Sequence, residues 1–201
     1  ALLLAIPFAF MGGFSKITVW IQSLTSGATS TLNIDMGLGY KVNYANILTA
    51  FAVMIKHKLV EGYFAIAGKL SYVITLCAFI AACFAKDRWK LSALLCSIMI
   101  GLPGFSFQYA MIFMVIPLID FLNDSKKTKL DIIYAVLFSL QFMQMVFRME
   151  SFSAIFPGGY TLSFMVFAEG LALMLMTGLL SVDVICGILS EKIKNNEKIE
   201  K

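Results

Sequence analysis

The 201-residue chain is 60% hydrophobic and 14% charged, with a mean hydropathy of +0.86. A soluble domain carries about 45–50% apolar residues, so this composition excludes an ordinary water-soluble globule and makes lipid the expected solvent. The net charge of +4 comes from basic residues in short segments between apolar runs; they form no continuous stripe and argue against nucleic acid as a partner.

At roughly 20 residues per crossing, a chain of this length supplies about five or six spans. The expected fold is all-α: a polytopic transmembrane helix bundle of about five complete or near-complete spans plus a partial N-terminal span, with interfacial helices on the outer side. Residues 1–201 read as a single transmembrane domain. Ala1 lies inside an apolar run with no Met and no basic n-region before it. The expectation is therefore the C-terminal part of a larger protein, not a signal peptide.

Ala1 to Phe14 is long enough only for the end of a span, closed by Gly12-Gly13. Between Ser15 and Leu24, the residues Ile17, Trp20, Ile21 and Leu24 recur at helical spacing. That segment fits either a helix lying in the interface or one packed on its own protein. Thr25 to Tyr44 reads as a loop. A second amphipathic helix is expected over about Asn46 to Leu59, with Ile47, Leu48, Phe51, Ile55 and Leu59 on one face. It is taken as interfacial or re-entrant, with a full crossing as the alternative, which makes 15–61 an outer-face segment.

Gly62 to Ala85 is the first complete span, with Lys69 near enough to its start to snorkel. Lys86-Asp87-Arg88-Trp89-Lys90 follows as a basic loop with an interfacial Trp. Leu91 to Leu102 crosses and breaks at Pro103-Gly104, because proline has no N–H and glycine tolerates any turn. Phe107 to Leu122 returns, with a kink expected at Pro117. Asn123 to Leu130 is a second basic loop, Ile132 to Phe147 crosses again, Arg148 to Tyr160 is a loop, and Thr161 to Cys186 is the last and longest span. Residues 190–201 form a basic tail.

Lys86, Arg88, Lys90, Lys126, Lys127, Lys129 and the tail residues Lys192, Lys194, Lys198 and Lys201 fall on one side, whereas the opposite short loops hold only Arg148. The lysine-rich side is expected to be cytoplasmic. The protein is thus placed in the cell membrane as a multi-pass chain with a cytoplasmic C-terminus. The break at 103–108, the loop 148–160 and the segment 15–61 then face outward.

No metal, phosphate-loop or nucleophile motif is present, and no cofactor is expected. Cys77, Cys83, Cys96 and Cys186 lie in apolar runs without a C-x-x-C pair and read as small buried hydrophobes. His57, flanked by lysines, reads as a solvated residue. Gln141, Gln144 and Arg148 are spaced to share one helix face that climbs to the outer surface. They form either a hydrogen-bonded stripe between helices, with Arg148 on Glu150, or a substrate-facing edge with Arg148 on a phosphate. Glu169 must face the bundle or be protonated, with Lys69 as a structural partner. Gln108 and Tyr109 stand at the outer mouth; Tyr109 is either an aromatic-belt residue or part of a cavity lining.

Leu102-Pro103-Gly104-Phe105-Ser106-Phe107-Gln108-Tyr109, followed by Ile116-Pro117-Leu118-Ile119, resembles the C-terminal signature of family-87 glycosyltransferases, which are multi-span enzymes of the GT-C type. Phe10-Met11-Gly12-Gly13-Phe14-Ser15 with Trp20 is similar to that family, as is Gly39-Tyr40 with Asn43-Tyr44-Ala45-Asn46. The resemblance implies an outward-facing active site and a polyprenyl-phosphate sugar donor, commonly of mannose. It also implies a glycan or lipid acceptor. The family's catalytic carboxylate belongs to an early outer loop that this chain does not contain, so no catalytic residue is carried over and Asp35 is not given that role. Arg148, with Gln144, Gln141 and Lys69, would contact the donor, and Gln108 and Tyr109 would line the cleft. The rival reading is a transporter or flippase for a lipid-linked or small polar substrate, since broken helices and buried ionisable groups occur there too.

Overall fold

The computed structural model describes residues 41–56, 62–104, 106, 108–125, 128, 130–142, 153–156 and 160–199. The N-terminal partial span, the amphipathic segment 15–24, His57, Gln144 and Arg148 lie outside them.

The described chain is helical apart from one short hairpin. Helix α1 spans Tyr44–Lys56, α2 Gly62–Phe84 and α3 Arg88–Gly101. A 3-10 helix, Gln108–Met114, leads directly into α4, Val115–Asn123. Then come α5, Asp131–Gln141, and α6, Phe164–Ile199. Strands β1, Ser153–Phe156, and β2, Tyr160–Ser163, pair antiparallel, with Ser153 opposite Ser163 and Phe156 opposite Tyr160. Helix α6 is the axis and packs against α1, α2, α3 and α5, while α3 also packs against α2 and α4.

Among the described residues, two helices are long and apolar enough to cross a membrane: α2 and the Phe164–Ser190 part of α6. Every helix shows large apolar side chains on its outside, among them Phe51, Ile66, Phe79, Ile116, Ile132 and Val182. Cys77, Cys83 and Cys186 are exposed on these same outer faces rather than buried, which corrects the reading of them as core residues. In an apolar run a cysteine suits either side, so sequence could not decide.

Helix α3 ends where expected. Leu102 N–H still donates to Ile98 O at 3.1 Å, and Pro103 has no N–H to continue the ladder. Pro117 is the third residue of α4, in the first turn, where its missing N–H takes no hydrogen bond from within α4; the 3-10 geometry of Gln108–Met114 gives way to α-helix just before it. A hairpin runs from the loop expected at 148–160 into the first residues of the expected last span: β2 continues through Ser163 and the helix begins only at Phe164. The hairpin's signal was present in Ala154-Ile155-Phe156 and Tyr160-Thr161-Leu162, which flank Pro157-Gly158-Gly159.

Helix α1 faces inward along Tyr44, Ile47, Ala50 and Val53, while Phe51 and Ile55, expected on the same face as Ile47, are exposed. Two glycines admit it. A Cβ on Gly101 would run into the Tyr44 ring, and one on Gly170 would lie 2.6 Å from Ile47 Cγ1. At the opposite end, Trp89 is buried, not interfacial. It packs edge-on against Phe121 and Tyr134 at ring separations of 5.0 and 5.2 Å.

Gly101→Ala should therefore destabilise the protein by about 1–3 kcal/mol, the usual range for overpacking. Gly178→Ala, in a helix position with no neighbour within 4 Å, should be neutral or slightly stabilising. Thermal unfolding of the two variants in detergent checks the contrast; equal effects would mean that the Tyr44 ring moves aside freely.

Candidate polar site at the helix break

The break after α3 is held open by the start of α1. Asn43 has two jobs. Its Oδ1 accepts from Asn46 N–H at 2.8 Å, which caps α1, and its Nδ2 donates to Gly104 O at 3.2 Å. Val42 N–H donates to Ser106 O at 2.9 Å, and Asn46 Nδ2 donates to Lys41 O at 3.0 Å. Ser106 N–H closes the turn onto Pro103 O at 3.2 Å. Backbone groups freed by the proline are thus taken up by a segment sixty residues earlier.

The result is a polar cluster inside an apolar-surfaced bundle. Lys41, Asn43, Asn46, Ser106 and Glu169 are exposed by only 8, 3, 5, 7 and 2% respectively. Burial pushes the Lys41 ammonium below its ordinary value. Val42 Cα stands 3.4 Å from where a Gly170 Cβ would be, which sets the 41–47 segment on α6 next to Glu169. Asn43 and Asn46 spend their amides on the bonds above, and Lys41 and Glu169 also have partners within the protein. Among the described residues no group of His, Cys, Asp and Glu could hold a metal ion.

Further into the bundle, Tyr44 Oη donates to Ser97 O at 3.0 Å and lies 2.9 Å from Thr177 Oγ1. Gln141, 1% exposed, donates through Nε2 to Met176 Sδ at 3.2 Å. Ser97 Oγ and Gln141 Oε1 are buried without a hydrogen-bond partner among the described residues; a group left unsatisfied in that way would cost about 1–3 kcal/mol.

The expected site residues are thus dispersed. Gln141 faces α6 in the interior at the last residue of α5. Gln108 and Tyr109 open the 3-10 helix immediately after the break. Lys69 is exposed on α2 beside Ile66 and Leu70, whereas Glu169 is buried. Lys41, Asn43, Asn46 and Ser106 were not singled out as binding groups. Their signal was the Asn43-x-x-Asn46 spacing of a capped helix start, read instead as the end of a loop.

The lysine-rich end carries a separate ion cluster. Lys90 Nζ lies 2.9 Å from both Asp87 Oδ2 and Asp183 Oδ2, Tyr134 Oη donates to Asp183 Oδ2 at 3.5 Å, and Arg88 Nε lies 3.4 Å from Asp120 Oδ2. These aspartates, apart from any solvation, tie α3, α4, α5 and α6 together. Burial alone would lower the Lys90 pKa, but the hydrogen bonds and charges of Asp183 and Asp87 outweigh it and hold the ammonium above its ordinary value.

No protein-family model matches the chain, and no characterised protein or solved structure is similar to it at a meaningful level.

Two outcomes follow. Asn43→Ala removes the cap and the bond to Gly104 together and should cost about 1–2 kcal/mol. Hydrogen exchange should then speed up at Asn46 and Ser106 while Leu91, whose N–H donates to Asp87 O at 3.1 Å, stays protected; protection unchanged at 106 would separate the cap from the break. For Lys90, the folded pKa is raised, so its contribution is full below the ordinary lysine value of 10.5 and is lost as pH climbs through the higher folded pKa. Asp183→Asn should lower stability by about 0.5–1 kcal/mol at neutral pH. The wild-type advantage should vanish only in strong alkali; a loss already complete near pH 8 would contradict the assignment.

Proposed function

We propose that the chain is the C-terminal membrane domain of a polyprenyl-phosphate-dependent glycosyltransferase. It moves a hexose, mannose in the first instance, from the lipid-linked donor to a glycan or lipid acceptor on the outer face. In this reading the bundle crosses the membrane about five times, its lysine-rich end and its C-terminus are cytoplasmic, and the helix break opens outward.

One observation carries the reading. Two of the stretches that resemble family-87 glycosyltransferases, 39–46 and 102–109, are distant in sequence, yet they are joined by the Asn43–Gly104 and Val42–Ser106 hydrogen bonds. Around that joint lie dehydrated amides and charges beneath an apolar exterior, the combination expected where a polar headgroup is taken from lipid. Arg148 and Gln144 would approach the donor phosphate from the 148–160 side, and Gln108 and Tyr109 would line the entrance. A transporter or flippase gains support from a different observation: the buried Lys41 and Glu169 lie beside a broken helix.

The test uses the full-length protein in vesicles supplied with polyprenyl-phosphate mannose. A transferase releases the polyprenyl phosphate and passes the sugar on, whereas a flippase moves the intact donor between leaflets. Arg148→Ala should weaken donor binding by about 10- to 100-fold, as for a lost charge-assisted hydrogen bond. Unchanged binding would remove Arg148 from the site, and leaflet exchange without sugar release would remove the transferase.

A further inference from the structure

The interior layer formed by Tyr44, Ser97, Gln141 and Thr177 is independent of that functional reading. Lys90 and Tyr134 both reach Asp183, which fixes the register of α3, α5 and α6 at the lysine-rich end. Seven residues onward, Ser97 on α3 and Gln141 on α5 stand about 10 Å deeper at 1.5 Å per residue. Helix α6 runs the other way and brings Thr177 and Met176 to the same depth. Tyr44 Oη then ties Ser97 O to Thr177, and Gln141 Nε2 sits on Met176 Sδ. The thioether sulfur can only accept, which fixes the amide orientation and leaves Oε1 as the acceptor in need of a donor.

Ser97 and Gln141 are 0 and 1% exposed, and each keeps one polar atom that no described residue satisfies. Two such atoms at one depth, on helices packed around α6, have chemistry that a single kind of small ligand meets. It must donate to an amide oxygen and exchange a proton with a hydroxyl. We propose that this layer is an internal hydration site, in which water donates to Gln141 Oε1 and is shared with Ser97 Oγ. Water bound to buried polar groups in this way is part of the fold, and removing its partners destabilises it.

The full-length protein in detergent tests this with Ser97→Ala, Gln141→Met and the double variant. A hydrated layer predicts that each single change lowers Tm by about 2–4 °C and that the double change costs less than the sum. A dry layer predicts the opposite sign, since each substitution then deletes an unsatisfied group. Single variants that raise Tm or leave it unchanged, or an additive double variant, overturn the proposal. Should the variants fail to fold, an experimental density map of the wild type decides. A peak about 3 Å from both atoms supports the site, and a direct Ser97–Gln141 hydrogen bond or an empty space between them overturns it.

Discussion

The docking of the α1 start into the bundle is the constraint on which the other features rest. Tyr44 places its ring where Gly101 has no side chain and its hydroxyl between Ser97 O and Thr177 Oγ1. One residue earlier, Asn43 caps α1 and holds Gly104. A proline break frees backbone groups, and in an apolar surrounding each would be costly unless the protein itself supplied partners. Here the partners are the Val42 N–H and the Asn43 amide. The break and the segment that fills it are therefore one structural unit, though some sixty residues separate them.

The two ends of the bundle are stabilised differently. At the lysine-rich end, the side chains of Lys90, Asp87 and Asp183 remain 18, 37 and 25% exposed. Solvent screens such pairs, so their worth is modest and their main effect is register. At the break, the groups are exposed by 8% or less. Their hydrogen bonds act in a drier environment, and removing one partner leaves the other buried. Loss of a polar group should therefore be felt more at the break than at the ion cluster, even though the ion cluster carries more formal charge.

Much of the architecture was legible in the sequence because apolar run length dominates it. The bounds of α2, the end of α3 at Pro103 and the start of α5 after the second basic loop follow from composition and from proline chemistry. The inward face of α1 was not legible. Its small and polar members, Asn46, Thr49 and Ala50, are buried because Gly101 and Gly170 on other helices make room for them, a tertiary fact with no local trace. The same holds for Trp89, whose place beside Lys90 suggested an interface residue until Phe121 and Tyr134 enclosed it. Of the expected site, Gln141 was correctly judged too costly to face lipid, but periodicity alone could not say that its partner would be a methionine sulfur.

Lys69 completes the physical picture because it is the exception to it. It is a cation on the exposed face of α2, among Ile66, Leu70 and Val73, and α2 is the less buried of the two membrane-length helices among the described residues. A lysine held at mid-bilayer on such a face would cost about 3 kcal/mol. Seven residues from Gly62, its Cα is only about 10 Å along the helix, and its stem can carry the ammonium back toward the surface. The start of α2 lies at the same end as the end of α3, because the two helices pack together through the short 85–87 connection. Snorkelling therefore brings the Lys69 charge toward the end of the bundle that holds Lys41 and the helix break.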